Sequence, residues 1–503
     1  MNRAKELKIG AVIAYFTIAF NIISGLLYTP WIIEQIGDAD YGLYTLANSL
    51  INLVLFDFGL SAATSRFVSK YLAEGRQDKV DRTLGVIYKL YLLLDAVIFL
   101  VLFVLTFFLE QIYSNLTPME ISRFRVVFIM SAAFALINFP CVTFTGILNA
   151  YEKFISLKVA DALYRVATVS ITVIALLCNG GLYALVAVHV GVGLLTLAFK
   201  FYIIKSKTPL KVNFRYKEKG AFRGLFTFSV WITVSTLAQR LVISITPSIL
   251  GMVASSVTIA AFGIVALLEN YIHMITTALN GMFMPKIARI FQKEDATAKF
   301  NELVVTVGRF QFALNGLIVV GFLLLGKEFI LLWLDETYIV GYYGLLLIAI
   351  PNLFYYSMQI ANTAMIIKNY VKIQAITNLV VGVLNVILAF ILAKYYGVIG
   401  ACVSICVVYT LRNVGYFIAY RKMLQLDLIK IIKECYVPLG IPMAITIAGG
   451  FGLNYVMAGD SWVLFALKVA IVSCLYAVLM FVMGLKREER QSLLTAVRSR
   501  LHK

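Results

Sequence analysis

Fourteen apolar stretches run through the 503 residues, at approximately 9–33, 41–64, 84–109, 124–149, 158–178, 181–204, 224–250, 256–283, 303–326, 339–366, 373–393, 397–420, 432–456 and 461–485. Each is roughly 20 residues or longer, enough for a helix to cross about 30 Å of hydrocarbon. The fifth and sixth meet at Asn179-Gly180. With 61% hydrophobic and only 14% charged residues, the chain carries more apolar surface than a soluble domain can bury, so the bilayer is its solvent. No water-soluble domain is predicted.

A net charge of +18 invites a nucleic-acid reading, but the distribution of the basic residues opposes it. With the N-terminus placed in the cytoplasm, only Arg123, Arg125, Lys327 and Lys394 fall in outer connections. This is the positive-inside pattern, and it predicts both termini in the cytoplasm with basic residues facing anionic headgroups. Met1–Lys8 is basic, but the apolar run after it is too long for a signal peptide and lacks a small-residue cleavage site, so it reads as a retained first helix. The six Cys have neither metal spacing nor an external pair and read as small hydrophobes. Asn115-Leu116-Thr117 reads as a chance sequon.

A repeat organises the spans. Ser65-Arg66-Phe67-Val68 through Glu74 and Lys79 matches Pro285-Lys286-Ile287-Ala288 through Glu294 and Lys299 at an offset of 220. Tyr151 and Lys153 match Tyr370 and Lys372 at an offset of 219, and Gly181 matches Gly400 more weakly. The predicted fold is an all-α integral membrane protein of about fourteen helices: two six-helix lobes in parallel pseudo-twofold repeat, plus two C-terminal helices. The expected boundaries are 1–204 for the first lobe, 205–223 for a basic cytoplasmic linker, 224–421 for the second lobe, 422–485 for helices 13 and 14, and 486–503 for a basic tail. Leu493, Leu494, Val497 and Leu501 in that tail suggest an amphipathic helix on the inner leaflet.

Ionisable groups inside apolar spans are costly and mark candidate sites. Arg240 lies 17 residues above Arg223, and Glu269 lies 17 residues before Lys286, so the two sit at similar depth. His273 is one turn from Glu269 on the same helix face. Two readings stand: Arg240 contacts an anionic substrate while Glu269 and His273 tune it or carry a proton, or Arg240 and Glu269 form a buried ion pair. Asp57, Lys89 and Asp95 lie toward the cytoplasmic half; Asp57 and Lys89 suit a lock between helices 2 and 3, and Asp57 and Asp95 are further candidates for ion coupling. Asp161 and Arg165 read as a local i,i+4 pair, and Lys468 as a snorkelling residue. Asn21, Asn52, Gln239 and Asn280 suit helix–helix glue or sugar hydroxyls. Pro30, Pro140, Pro247, Pro351, Pro438 and Pro442 mark kinks.

No enzyme motif is present: there is no G-x-x-x-x-G-K-[ST] loop and no H-E-x-x-H, and His189, His273 and His502 are far apart in sequence. No catalytic residue, metal site or cofactor is therefore predicted.

Gly37-Asp38-Ala39-Asp40-Tyr41-Gly42-Leu43-Tyr44, Asp57-Phe58-Gly59-Leu60-Ser61 running into Ser65-Arg66-Phe67-Val68, Gly146-Ile147-Leu148-Asn149-Ala150 and Phe283-Met284-Pro285-Lys286 carry a resemblance over essentially the whole length. The chain resembles the polysaccharide-export branch of the multidrug/oligosaccharidyl-lipid/polysaccharide superfamily, the Wzx-type lipid-linked oligosaccharide flippases. The resemblance implies a V-shaped, two-lobed bundle in the bacterial inner membrane. By alternating access it would flip a polyprenyl-diphosphate-linked oligosaccharide for lipopolysaccharide O-antigen or other surface polysaccharide. It also implies membrane lipids and other polysaccharide assembly proteins as partners, and no nucleic acid. Arg240 would meet the diphosphate, with Lys89, Arg66 and Arg165 supplying further cations from the cytoplasmic mouth and Asn21 a polar contact. A cation-coupled exporter of small molecules on the same fold is the alternative.

Overall fold

The computed structural model of the chain describes residues 3–55, 59–214, 221–278, 280–292, 295–457, 459, 461–486 and 489–491. Asp57 and residues 492–503 of the basic tail lie outside the described residues. All regular structure among the described residues is helical. In chain order the helices are α1 (Arg3–Ile36), α2 (Asp38–Val54), α3 (Leu60–Ala73), α4 (Gln77–Ile112), α5 (Pro118–Cys141), α6 (Thr143–Ala150), α7 (Phe154–Leu177), α8 (Gly181–Lys207), α9 (Ala221–Arg240), α10 (Thr246–Val253), α11 (Ser256–Thr277), α12 (Asn280–Ile290), α13 (Ala296–Trp333), α14 (Val340–Ser357), α15 (Gln359–Ile367), α16 (Val371–Leu424), α17 (Leu428–Ile431), α18 (Val437–Val456) and α19 (Trp462–Leu479).

Eleven helical segments among the described residues are long and apolar enough to cross a membrane, and one of them, Val371–Leu424, holds two of the expected stretches. The expected stretches 373–393 and 397–420 are two helical runs of α16 that meet at a kink at Gly397 (φ 53°). The expected stretches 41–64 and 224–250 fall on interrupted helices, α2/α3 and α9/α10. Past the end of α9, Ile245 N donates to Arg240 O, and the carbonyls of Leu241 and Val242 accept from Asn385 Nδ2 at 3.1 and 3.2 Å, Val242 O also from the Thr246 hydroxyl. Apolar side chains are widely exposed: Phe103 and Phe107 of α4 are 52% and 63% exposed, which suits hydrocarbon and not water.

The repeat is visible in the turn hydrogen bonds, but at a different offset. Gly75 N donates to Leu72 O as Gln292 N donates to Arg289 O; Glu152 N donates to Asn149 O as Asn369 N donates to Ile366 O. Every one of these pairs differs by 217, against the 219–220 of the residue matches. Glu152 and Asn369 are both left-handed, with φ 56° and 61°. A basic pattern following an apolar run slides by two or three residues at little cost, whereas a helix-ending hydrogen bond cannot. Similarly, the left-handed glycine corresponding to Gly181 (φ 60°) is Gly397 and not Gly400.

The chain packs as two compact units: residues 1–263 with 378–401, and residues 264–377 with 402–503. In the first unit, Gly42 lets α2 touch the start of α11, since a Cβ there would lie 2.0 Å from Ser256 O, and Asp40 holds Arg123 through both carboxylate oxygens at 3.0 Å. The segment after α8 is strapped to α4: Lys211 N donates to Asp81 Oδ1 at 3.0 Å and Asn213 N to Asp81 O at 3.1 Å. A Cβ on Gly85 would stand 1.9 Å from Asn213 O. Gly85→Ala is therefore expected to displace the strap and to speed tryptic cleavage after Lys211 several-fold; an unchanged cleavage rate would show that the strap does not depend on this close approach.

In the second unit, Pro438 cannot donate to the carbonyl of Glu434 four residues earlier. That carbonyl accepts from Arg309 instead. Arg309, with a side chain 4% exposed, also binds Gly484 O at 2.5 Å and both carboxylate oxygens of Glu489 at 2.8 and 3.0 Å. Burial raises the Glu489 carboxyl, but hydrogen bonds from Arg309 and the Lys486 N–H outweigh it and hold it below its ordinary value. This stabilisation is present above the unfolded value near pH 4.3 and is lost as pH falls through the lower folded value. Glu489→Gln is expected to lower stability at pH 7 by on the order of 3 kcal/mol, the difference from wild type closing in acid melts. Lys468 does not snorkel: it is 3% exposed and its Nζ binds Glu328 at 2.7 Å. The carboxylate within reach makes the buried position tolerable without water.

Candidate functional site

Tyr44, Asn48 and Asn52 repeat every four residues on one face of α2 and line a cavity of about 420 Å³ in the first unit. Asn138 of α5, His189 of α8 and Arg240, the last residue of α9, complete its polar wall. The Arg240 guanidinium donates through Nη1 to the backbone carbonyl of Asn52. His189 donates from Nδ1 to Leu185 O at 2.8 Å, which leaves Nε2 to accept from the Tyr44 hydroxyl at 3.3 Å. A cation beside carboxamides and a hydroxyl, in a pocket walled also by Phe134 and Phe139, suits an anion attached to a polyhydroxyl group.

Phe134, Asn138 and Tyr164 also line a second cavity of about 420 Å³. A Cβ on Gly193 would lie 2.2 Å from the Phe134 ring, so this glycine admits the aromatic wall common to both cavities. Asp161, Arg165 and Lys200 face the second cavity. Asp161 is not paired along its own helix: its carboxylate binds Lys200 Nζ of α8 at 2.9 Å. The α7–α8 packing brings the Lys200 ammonium to the carboxylate, and Arg165 is left turned to the cavity, its guanidinium 5.9 Å from the Tyr164 ring.

Glu269 belongs to a separate network within the second unit. Asn352 Nδ2 donates to Glu269 Oε1 at 3.1 Å, and the Tyr356 hydroxyl donates to the same oxygen at 3.0 Å. His273 reaches Glu269 through Tyr356, its Nδ1 lying 3.3 Å from that hydroxyl. Asn352 Oδ1 in turn accepts from Arg412 Nη2 at 2.8 Å. Arg412 is 7% exposed, with its guanidinium carbon 3.9 Å from each of the Tyr355 and Tyr409 ring centres. The array can hold a proton or carry one from His273 to the carboxylate.

Arg240 and Glu269 thus fall in different units, each with partners in its own. Of the other candidates, Asn21 and Lys89 are half-buried on α1 and α4, Arg66 is exposed on α3, and neither cavity is lined by any of the three. Asp95 on α4 has a buried Oδ1 without a hydrogen-bond partner among the described residues. Sequence reasoning missed His189, Lys200, Asn352, Tyr356 and Arg412. The signal for Arg412 and Lys200 was a basic residue inside an apolar stretch, 397–420 and 181–204; the neutral groups carried none.

Residues 10–291, more than half of the chain, match the family model described as polysaccharide biosynthesis protein. A sequence comparison with curated proteins found no match. Among solved structures, the lipid II flippase MurJ in an inward closed conformation matches with TM-score 0.73 at 13% identity, covering 93% of this chain and 97% of that one. An inward-facing multidrug resistance MATE family transporter of the MOP superfamily matches with TM-score 0.64 at 13% identity, covering 82% and 98%. A mutant form of the Vibrio cholerae MATE transporter VcmN matches with TM-score 0.58 at 12% identity, covering 84% and 98%. With a family match over the first cavity's helices and a fold match over nearly its whole length, the chain belongs to the polysaccharide biosynthesis protein family and shares the fold of these flippase and transporter structures.

Proposed function

We propose that the protein is a transporter, not an enzyme: a flippase that moves a polyprenyl-diphosphate-linked oligosaccharide across the bacterial inner membrane for O-antigen or other surface polysaccharide. Arg240 in its amide-lined cavity carries this reading, because a guanidinium offers the fork of donors that a diphosphate accepts, and the Asn and Tyr side chains suit the first sugar. The polyprenyl tail stays in lipid while two six-helix lobes, 1–204 and 224–421, alternate in access, with both termini cytoplasmic. Membrane lipids and other polysaccharide assembly proteins are the expected partners. The family description and the flippase among the matched folds support the assignment.

A fluorescent lipid-linked oligosaccharide in proteoliposomes tests it. Purified protein is expected to move the label to the opposite leaflet, where an added quencher reaches it. Labelled lipid that stays put in both the presence and the absence of an ion gradient sinks the flippase reading.

The Glu269–Tyr356–His273 chain favours cation coupling as a second reading, in which the same fold exports a small molecule against a proton. Gradient-driven export of a small molecule, with no glycolipid movement, would select it.

A further inference from the structure

The span Pro118–Ala150 is interrupted where α5 passes into α6 through Val142. Pro140 lacks an N–H, and the turn after it is tight: Val142 N donates to Phe139 O and Thr145 N to Val142 O, both at 3.2 Å and both three residues back. Such turns inside a helix mark hinges. Asn138, Phe139 and Val142 at this turn also line the Arg240 cavity. Thr143, which is fully buried, holds the turn. Its hydroxyl donates to Pro140 O at 2.8 Å and lies 2.9 Å from the Tyr88 hydroxyl of α4. With its one hydrogen on the carbonyl, Thr143 accepts from Tyr88. The Tyr88 ring in turn meets Phe214, with ring centroids 6.2 Å apart at 52°. Phe214 follows the residues that Asp81 straps to α4, so one tyrosine touches both the helix break at the cavity and the segment preceding α9.

The second unit makes a like arrangement from other residues. At its break between α14 and α15, Met358 N donates to Tyr355 O at 3.1 Å and the Ser357 hydroxyl donates to Phe354 O at 2.8 Å. The Tyr436 hydroxyl lies 2.9 Å from Ser357 Oγ. That tyrosine immediately precedes α18, whereas at the 217 offset Tyr88 falls on Val305 of α13. The two breaks share the hydroxyl bridge but not the helix that supplies it. The bridge therefore goes with the break and not with the packing of one particular helix.

We infer that Tyr88 and Thr143 are positioning residues that couple the wall of the Arg240 cavity to the strap before α9. When the α5–α6 turn resets, the Tyr88–Thr143 bridge breaks, the Tyr88 ring shifts against Phe214 and the strap loosens. The flippase reading supplies only the identity of what enters the cavity; the coupling is a property of the protein without cargo. Such a coupling is reciprocal, so it is measured from both ends.

In purified full-length protein in nanodiscs, tryptic cleavage after Lys211 reports opening of the strap. Maleimide alkylation of the half-buried Cys141, followed by peptide mass spectrometry, reports the turn. Tyr88→Phe keeps the ring and removes the hydroxyl, and should speed cleavage about fivefold, the factor one hydrogen bond is worth. Thr143→Val should do the same, although Thr143 touches no residue of the strap, and Thr143→Ser should behave as wild type. The double variant should be no faster than either single one. From the other end, Asp81→Ala should speed Cys141 alkylation about fivefold, and Asp81→Asn, which keeps an oxygen for the Lys211 N–H, should restore most of the protection. Cleavage unchanged in Tyr88→Phe overturns the proposal, as does Cys141 alkylation unchanged in Asp81→Ala. Effects that multiply to about 25-fold in the double variant would also overturn it, since they mark two independent contacts. If Thr143→Val fails to fold, the Tyr88→Phe and Asp81→Ala rates decide alone. Coupled rates in a protein that moves no labelled glycolipid would sink the flippase reading and leave the coupling standing.

Discussion

Arg240→Ala is expected to abolish surface-glycan export, by at least about a hundredfold, with protein levels unchanged. The reason is electrostatic. A guanidinium binding a diphosphate through two charge-assisted hydrogen bonds is worth on the order of 3 kcal/mol or more, which is at least that factor in rate or affinity. Its observed bond, to the Asn52 carbonyl, uses one of five N–H donors and leaves the others for a ligand. Arg240→Lys keeps the charge but loses the fork, so partial export is expected. Should the Ala protein export normally, Arg240 is a helix-end contact to α2 and nothing more. Should it fail together with a large fall in thermal stability, the contact with Asn52 accounts for the loss.

Arg412→Ala is expected to destabilise the second unit by about 3–5 kcal/mol, since it leaves the Glu269 carboxylate within the bundle with no cation and empties the space between Tyr355 and Tyr409. Removing both charges is milder than removing one. The double variant Arg412→Ala with Glu269→Gln should therefore melt above the single Arg412→Ala variant. Asn352 transmits this coupling, because it accepts from Arg412 and donates to Glu269. A double variant no more stable than the single one would uncouple the two charges. Glu269→Gln alone carries the functional question: if transport and its pH dependence persist unchanged, the His273–Tyr356–Glu269 chain does not carry the coupling proton.

Legibility followed residue type. Arg240 and Glu269 stood out because a charge inside an apolar run is rare and expensive. Their partners did not, since Asn52 contributes a backbone carbonyl, and Asn352 and Tyr356 are ordinary residues of a helix. Asp161 shows the same limit: the i,i+4 rule proposed Arg165, and the neighbouring helix supplied Lys200. The repeat was legible as a repeat, yet its offset was read from basic residues that tolerate sliding, while the turn hydrogen bonds place it at 217.

By itself the sequence determined the solvent, the helical class, the recurrence of one helix pattern and the family. Hydropathy and charge sidedness are properties of composition along the chain and need no third dimension. Tertiary structure alone decided which helices break, which carbonyls are capped from afar and which cation each buried carboxylate meets. Those outcomes depend on side-chain reach between helices distant in sequence, as when Asn385 closes the end of α9 and Lys468 finds Glu328. No periodicity in the chain encodes such meetings, and in a low-dielectric interior they decide where a charge is tolerated and where one remains for a ligand.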